Sequence, residues 1–187
     1  MLYLFVIIPV LLVLFVYSVY ISVIRKRNAV EEAFSGIDVQ LTKRHDLIPN
    51  LIATAKKFMT HEKNLMEEIT ELRTNAMKVA HGKDIGKAIK TENELSGKLN
   101  QLMVNVENYP NLKSDTTMTN VQDALQDVEE HIAASRRFYN SSVRVLNDTI
   151  QVWPMSMIAG WVKVKVYPYF EADKDAEEVP DAGKMFA

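Results

Sequence analysis

Oily side chains fill the first 24 positions but for Ser18 and Ser22, and from Arg25 onward they return every three or four residues. The two patterns predict two environments. Residues 1–24 carry no charged side chain. As a helix they would span ~36 Å at 1.5 Å per residue, against roughly 30 Å for the hydrocarbon core of a bilayer. Tyr3, Tyr17 and Tyr20 lie toward the ends of the run, where amphipathic rings suit the interface. Pro9 is tolerated in a spanning helix. A cleaved signal peptide is the competing reading. No basic residue precedes the run, the run is too long, and no small-residue cleavage site stands before Arg25. A membrane-spanning helix is therefore expected.

Behind it the spacing is helical. Val30, Phe34, Ile37 and Leu41 open the series. Leu51, Ala55, Phe58, Glu62, Leu65, Ile69, Leu72, Ala76 and Val79 continue it, with Glu62 as one polar member. Ile85, Ala88, Glu92, Leu95, Leu99, Leu102 and Val106 form a third stripe. The longest runs through Met118, Val121, Leu125, Val128, Ile132, Ser135, Tyr139, Ser142, Leu146 and Thr149. Steps of three and four average about 3.5, the repeat of helices that coil left-handed about one another. Pro49 clashes with helical geometry before it, and Asp46 can cap a new helix, so a turn or sharp kink is expected over 45–49. Gly82 reads as a helix end. Residues 109–115 read as a loop, with Ser114 or Asp115 as the next cap. The spacing predicts helices near 25–45, 47–81, 84–108 and 115–151. Trp153-Pro154 ends the last. None can bury its stripe alone, so an antiparallel bundle of about four long helices follows, all-α, with a short non-helical C-terminal segment. The polar stripe members Glu62, Glu92, Ser135 and Ser142 can sit at the stripe edge, fix its register or line a small polar cavity.

Composition narrows the chemistry. The net charge is −2, with no general pull toward nucleic acid. There is no Cys, which removes disulfides, thiolate metal sites and thiol nucleophiles. Di-metal carboxylate sites in bundles use Glu-x-x-His. The residues three before His45, His61, His81 and His131 are Thr42, Phe58, Lys78 and Val128, none acidic. His61-Glu62 lacks the second His of a zincin, since residue 65 is Leu. Phosphate-binding glycine loops and the nucleophile elbow are missing as well. No catalytic residue, metal, cofactor or small-molecule substrate is expected.

Four phrases carry a resemblance: Asp38-Val39-Gln40-Leu41-Thr42-Lys43-Arg44-His45-Asp46-Leu47-Ile48-Pro49-Asn50-Leu51, Glu107-Asn108-Tyr109-Pro110-Asn111-Leu112-Lys113, Ala134-Ser135-Arg136-Arg137-Phe138-Tyr139-Asn140, and Asn147-Asp148-Thr149-Ile150-Gln151. The chain resembles the LemA family of bacterial membrane proteins from its anchor to about Phe170. The resemblance implies a spanning helix, a long helical bundle and a place in the bacterial cell membrane. It brings no catalytic set. Two departures are small: Phe34-Ser35-Gly36 stands where the family often has Trp and Asp, and Trp153-Pro154 where Phe-Pro is common.

Arg25, Lys26 and Arg27 follow the apolar run and no basic residue precedes it. The positive-inside rule then puts the N-terminus outside and residues 25–187, with the bundle over 25–151, in the cytoplasm. Candidate contacts to a partner or to lipid are Lys43, Arg44 and His45, and Arg136 and Arg137. The bland alternative pairs these cations with Asp46 or with carboxylates on other helices, such as Glu62 or Glu92. A further candidate group is Trp153, Trp161, Lys163 and Lys165, in an aromatic and basic segment over 152–170. That segment can lie at a membrane interface, pair as a strand with another chain, or fold back over the bundle. Residues 171–187 are acidic and read as a mobile tail. The function expected is a non-catalytic, membrane-tethered scaffold that self-associates or binds a protein partner. The alternative is a membrane-shaping protein that works through self-assembly and the Trp153–Trp161 segment.

Overall fold

The computed structural model describes residues 2–80 and 84–170. Among them the chain is helical, without strands: α1 (Leu2–Ala55), α2 (Lys63–Ala80), α3 (Ile85–Val106), α4 (Pro110–Lys113), α5 (Thr116–Gln151) and α6 (Met155–Val162). The all-α expectation holds. α1 is long and apolar enough near its N-terminus to cross a membrane. It then continues into the bundle as the same 54-residue helix, about 81 Å of unbroken rod.

Of the turn or sharp kink expected over 45–49, the turn is therefore absent, and Asp46 is an exposed mid-helix residue, not a cap. The break comes later, over residues 56–62, where the helix tightens into i→i+3 bonds such as Lys57 N to Thr54 O. How the helix passes Pro49 is visible in the packing. Proline has no N–H to offer the carbonyl four residues back, that of His45. Arg73 on α2 donates its Nε to that His45 oxygen at 2.6 Å. A guanidinium from another helix thus takes the place of the missing backbone donor.

α1 and α5 run antiparallel. Phe34 meets Tyr139 with ring centroids 5.8 Å apart, and farther up Arg44 meets Glu129 at 2.8 Å. Moving forward on α1 moves back on α5 by the same step. Asp115 caps α5 by accepting from Met118 N at 3.0 Å, and Asp84 caps α3 by accepting from Lys87 N at 3.1 Å. α2 and α3 form a second pair, bridged by Lys98 and Glu68 at 2.6 Å. The pairs meet over one core at the far end, where Ile48, Leu51, Met66, Ile69, Leu95, Leu102 and Met118 are buried. α4 adds a single turn whose Leu112 plugs that end. A second core runs toward the membrane end: Val23, Val30, Ile37 and Leu41 against Ile132, Tyr139, Val143, Leu146 and Ile150.

Two stripe details shift. In the lower half of α5 the buried positions are Val143 and Ile150, while Ser142 and Thr149 are only half covered. An ideal helix drifts ~20° per heptad against a strict seven-residue repeat, and the stripe moves over by one residue. Residues 155–162 are helical, not irregular as expected. α6 packs on α1 and α5 and is closed by Lys163, whose φ of 56° lets Val164 N reach Ala159 O at 3.0 Å and Lys163 N reach Gly160 O at 3.2 Å. Those two bonds satisfy carbonyls that the helix end leaves open. Gly82 and the acidic tail lie outside the described residues.

Candidate functional site

Three polar or amphipathic features stand out, and each uses residues picked out by the sequence. The first is inside the bundle. α1 turns Arg44 inward, where it is 0% exposed. Its guanidinium donates to Ser96 Oγ at 2.7 Å and Glu129 Oε1 at 2.8 Å, and makes a short contact to Glu92 Oε2. His45 Nε2 stands 2.9 Å from Glu92 Oε1, an ion-pair distance with poor hydrogen-bond alignment. Burial alone would push the Glu92 carboxyl up. His45 and Arg44 outweigh it and hold the carboxyl below its ordinary value. Arg44 and His45 thus face α3 and α5 within the protein, while Lys43 next to them is exposed. Of the polar stripe members, Glu92 is buried in the core as the partner of Arg44 and His45. Glu62 lies in the 56–62 break and accepts from Tyr109 OH at 2.7 Å. Neither pairs with Arg136 or Arg137.

The second feature was not foreseen. Residues 164–170 run extended along α5, held by two asparagines. Asn147 Oδ1 accepts from Tyr167 N and Asn147 Nδ2 donates to Tyr167 O, both at 3.0 Å. Asn140 does the same for Phe170, with both bonds at 2.9 Å. An asparagine amide offers one acceptor and one donor side by side, so it pairs with a backbone as a neighbouring strand would. The spacing matches: Asn140 to Asn147 is two helical turns, ~10.5 Å, and Tyr167 to Phe170 in extended chain is ~10 Å. Tyr139 donates its hydroxyl to Pro168 O at 2.9 Å. Its ring touches those of Phe34 and Phe170 edge-on, at 5.8 and 5.6 Å. Arg136 lies over the Phe170 ring at 5.0 Å, a cation–π contact. Tyr167 reaches Glu31 Oε1 at 3.2 Å. Burial first, and the Glu31 carboxylate second, raise the Tyr167 phenol. Burial chiefly raises that of Tyr139. Of the three placements open for 152–170, this part of the segment folds back. Arg137 is exposed beside the clamp.

The third feature is α6. Ile158 and Ala159 face inward, while Met157 and Trp161 stand outward. Trp153, ahead of the helix, is exposed as well, and so are Lys163 and Lys165 behind it. Among the described residues no group of three or more His, Asp or Glu could hold a metal ion.

The LemA family model matches residues 33–182 of the chain. The chain belongs to the LemA family. The match covers most of the bundle, the extended segment on α5 and α6, and begins beyond the apolar run. Curated relatives include the magnetosome protein MamQ of Magnetospirillum gryphiswaldense, 25% identical over 172 residues, 78% of this chain and 62% of the relative. Two MamQ proteins of Paramagnetospirillum magneticum are each 24% identical over 169 residues, with the same shares. The chain thus spans about three-fifths of the length of these relatives. In this LemA chain the recognisable phrases supply polar contacts that tie the helices and the tail together: Arg44 and His45 build the ion network, Tyr109 closes on Glu62, and Tyr139, Asn140 and Asn147 hold the tail. The chain is a membrane-associated member of the family.

Proposed function

We propose that this protein is a non-catalytic scaffold tethered in the bacterial inner membrane, its N-terminus outside and its bundle in the cytoplasm. It works by self-association, with protein-partner binding as the other use of the same surface. The observation that carries the reading is a row of exposed apolar residues on the outer side of the chain's last long helix. Phe138 and Val145 in α5 and Val152 just after it are all exposed and recur every seven residues. A helix lying alongside would meet that row once per heptad, one of the two seam positions of a coiled coil. A second support is that the buried polar groups are committed inside: Arg44, His45 and Glu92 tie helices together, and Asn140 and Asn147 bind the chain's own backbone.

One variant tests both orientation and contact. The chain has no Cys, so Val145→Cys in the full-length protein introduces a unique thiol. A membrane-impermeant maleimide should label it in inverted vesicles and not in intact cells. Mild oxidation of those membranes should yield a disulfide-linked dimer, with little from Gln126→Cys, which is exposed on α5 outside the row. Labelling in intact cells reverses the orientation. A dimer absent at Val145, or equal at both positions, removes self-association.

A further inference from the structure

The placement of α6 along α1 locates it relative to the membrane. The apolar run has no charged residue up to Ile24, and Arg25, Lys26 and Arg27 follow. Basic side chains immediately after a spanning segment mark the headgroup level. The bundle, however, does not stop covering α1 at Arg25. Val23 and Val19 are both buried, and Val16, Ile21, Ser22 and Ile24 are half covered. At 1.5 Å per residue, Val23 lies ~3 Å and Val19 ~9 Å to the membrane side of Arg25. α6 packs on α1 with Ile158 and Ala159 inward, and Ala159 joins the core that contains Val23.

We infer that α6 is a second membrane contact, an interfacial helix that enters the lipid surface beside the spanning segment. Its chemistry fits. The eight residues Met155–Val162 carry no charge. Met157 and Trp161 are one helical turn apart and point away from the protein. Trp153 and Trp161 are 74% and 73% exposed, an expensive way to place indole in water and a favourable one at the acyl–headgroup boundary. An interfacial helix sinks about 5–10 Å into that boundary, the depth at which Val19 is covered. Lys163 and Lys165 are exposed just behind the helix, where anionic headgroups attract them. The occupant of the aromatic face is thus lipid. This inference does not depend on self-association.

The test uses a property of the sequence: Trp153 and Trp161 are the chain's two tryptophans, so indole emission reports on this surface alone. The full-length protein is reconstituted in phosphatidylcholine–phosphatidylglycerol vesicles, with the phosphatidylcholine either plain or brominated on its upper acyl carbons. Trp153→Phe and Trp161→Phe isolate each indole. Brominated lipid should remove most of the emission from both. The inference falls if Trp161 emits equally in brominated and plain lipid. Quenching by aqueous iodide would then mean open water at that face, and protection from iodide would mean a protein surface on it.

Discussion

Replacing Arg44 by Met should destabilise the bundle by about 3–5 kcal/mol, the range for removing one member of a buried ion pair. In a domain of this size that is a fall of roughly 10 °C or more in Tm, measured by the loss of helical circular dichroism in detergent. Met fills much the same volume, so the loss comes from charge and not from a cavity. What is left behind is Glu92, 2% exposed, with His45 alone beside it. Removing the acid as well, in Arg44→Met with Glu92→Leu, should return most of the stability, because an apolar pair of similar size needs no compensation. A double variant as weak as the single one would show that Ser96 and Glu129, not Glu92, carry the interaction.

The same network links stability to pH. In the native protein the Glu92 pKa is lowered from 4.5. A carboxyl lowered on folding adds stability that is full above its ordinary pKa and is lost as pH falls through the lowered one. Without Arg44, burial is opposed by His45 and no longer by the guanidinium, so the ionised Glu92 gains less on folding and acid costs the variant less than it costs the parent. The stability gap between the two should narrow as pH drops below the ordinary carboxylate range.

These residues also show what a sequence can and cannot reveal. α3 and α5 are legible because a stripe and a capping Asp are local signals. The continuity of α1 through Pro49 is not, because the group that makes it tolerable, Arg73, comes from another helix. The real break over 56–62 hides in the stripe: Met59 stays buried through it, so hydrophobic spacing continues where the helix does not. Glu62, the lone polar member of that stripe, was the available clue. Lys43-Arg44-His45 reads as a polar patch, but only the bundle decides that Lys43 faces out and Arg44 in. The asparagine clamp left even less trace. Asn140 and Asn147 are seven apart and beside stripe positions, yet helical asparagines are ordinary surface residues until a particular strand of backbone lies against them. α6 was obscured by Pro154 and Gly160, which read as breakers. Pro154 stands just before the helix and Gly160 is exposed within it, where an added Cβ would meet nothing within 4 Å.

The clamp makes the second large prediction. Asn147→Ala deletes both bonds to Tyr167 and strands a part-buried N–H and C=O, at about 1–3 kcal/mol for an unsatisfied group. The effect should be local. α5 keeps its helix, since Ala favours it, but residues 164–170 lift away. Lys163, just before that segment, and Lys165, within it, are exposed cleavage sites. Where opening and closing outpace cleavage, proteolysis follows the open population, so a loss of 2 kcal/mol raises trypsin cutting there by ~30-fold at 1.4 kcal/mol per decade. Asn147→Asp separates the two bonds. A carboxylate still accepts from Tyr167 N but repels Tyr167 O, so the segment is released at neutral pH. A protonated carboxyl has an O–H to donate, so acid should close the clamp again and slow cutting toward the parent rate, read with a protease active at that pH. Cleavage that stays fast in acid would mean that a protonated carboxyl cannot replace the amide N–H that Asn147 donates to Tyr167 O.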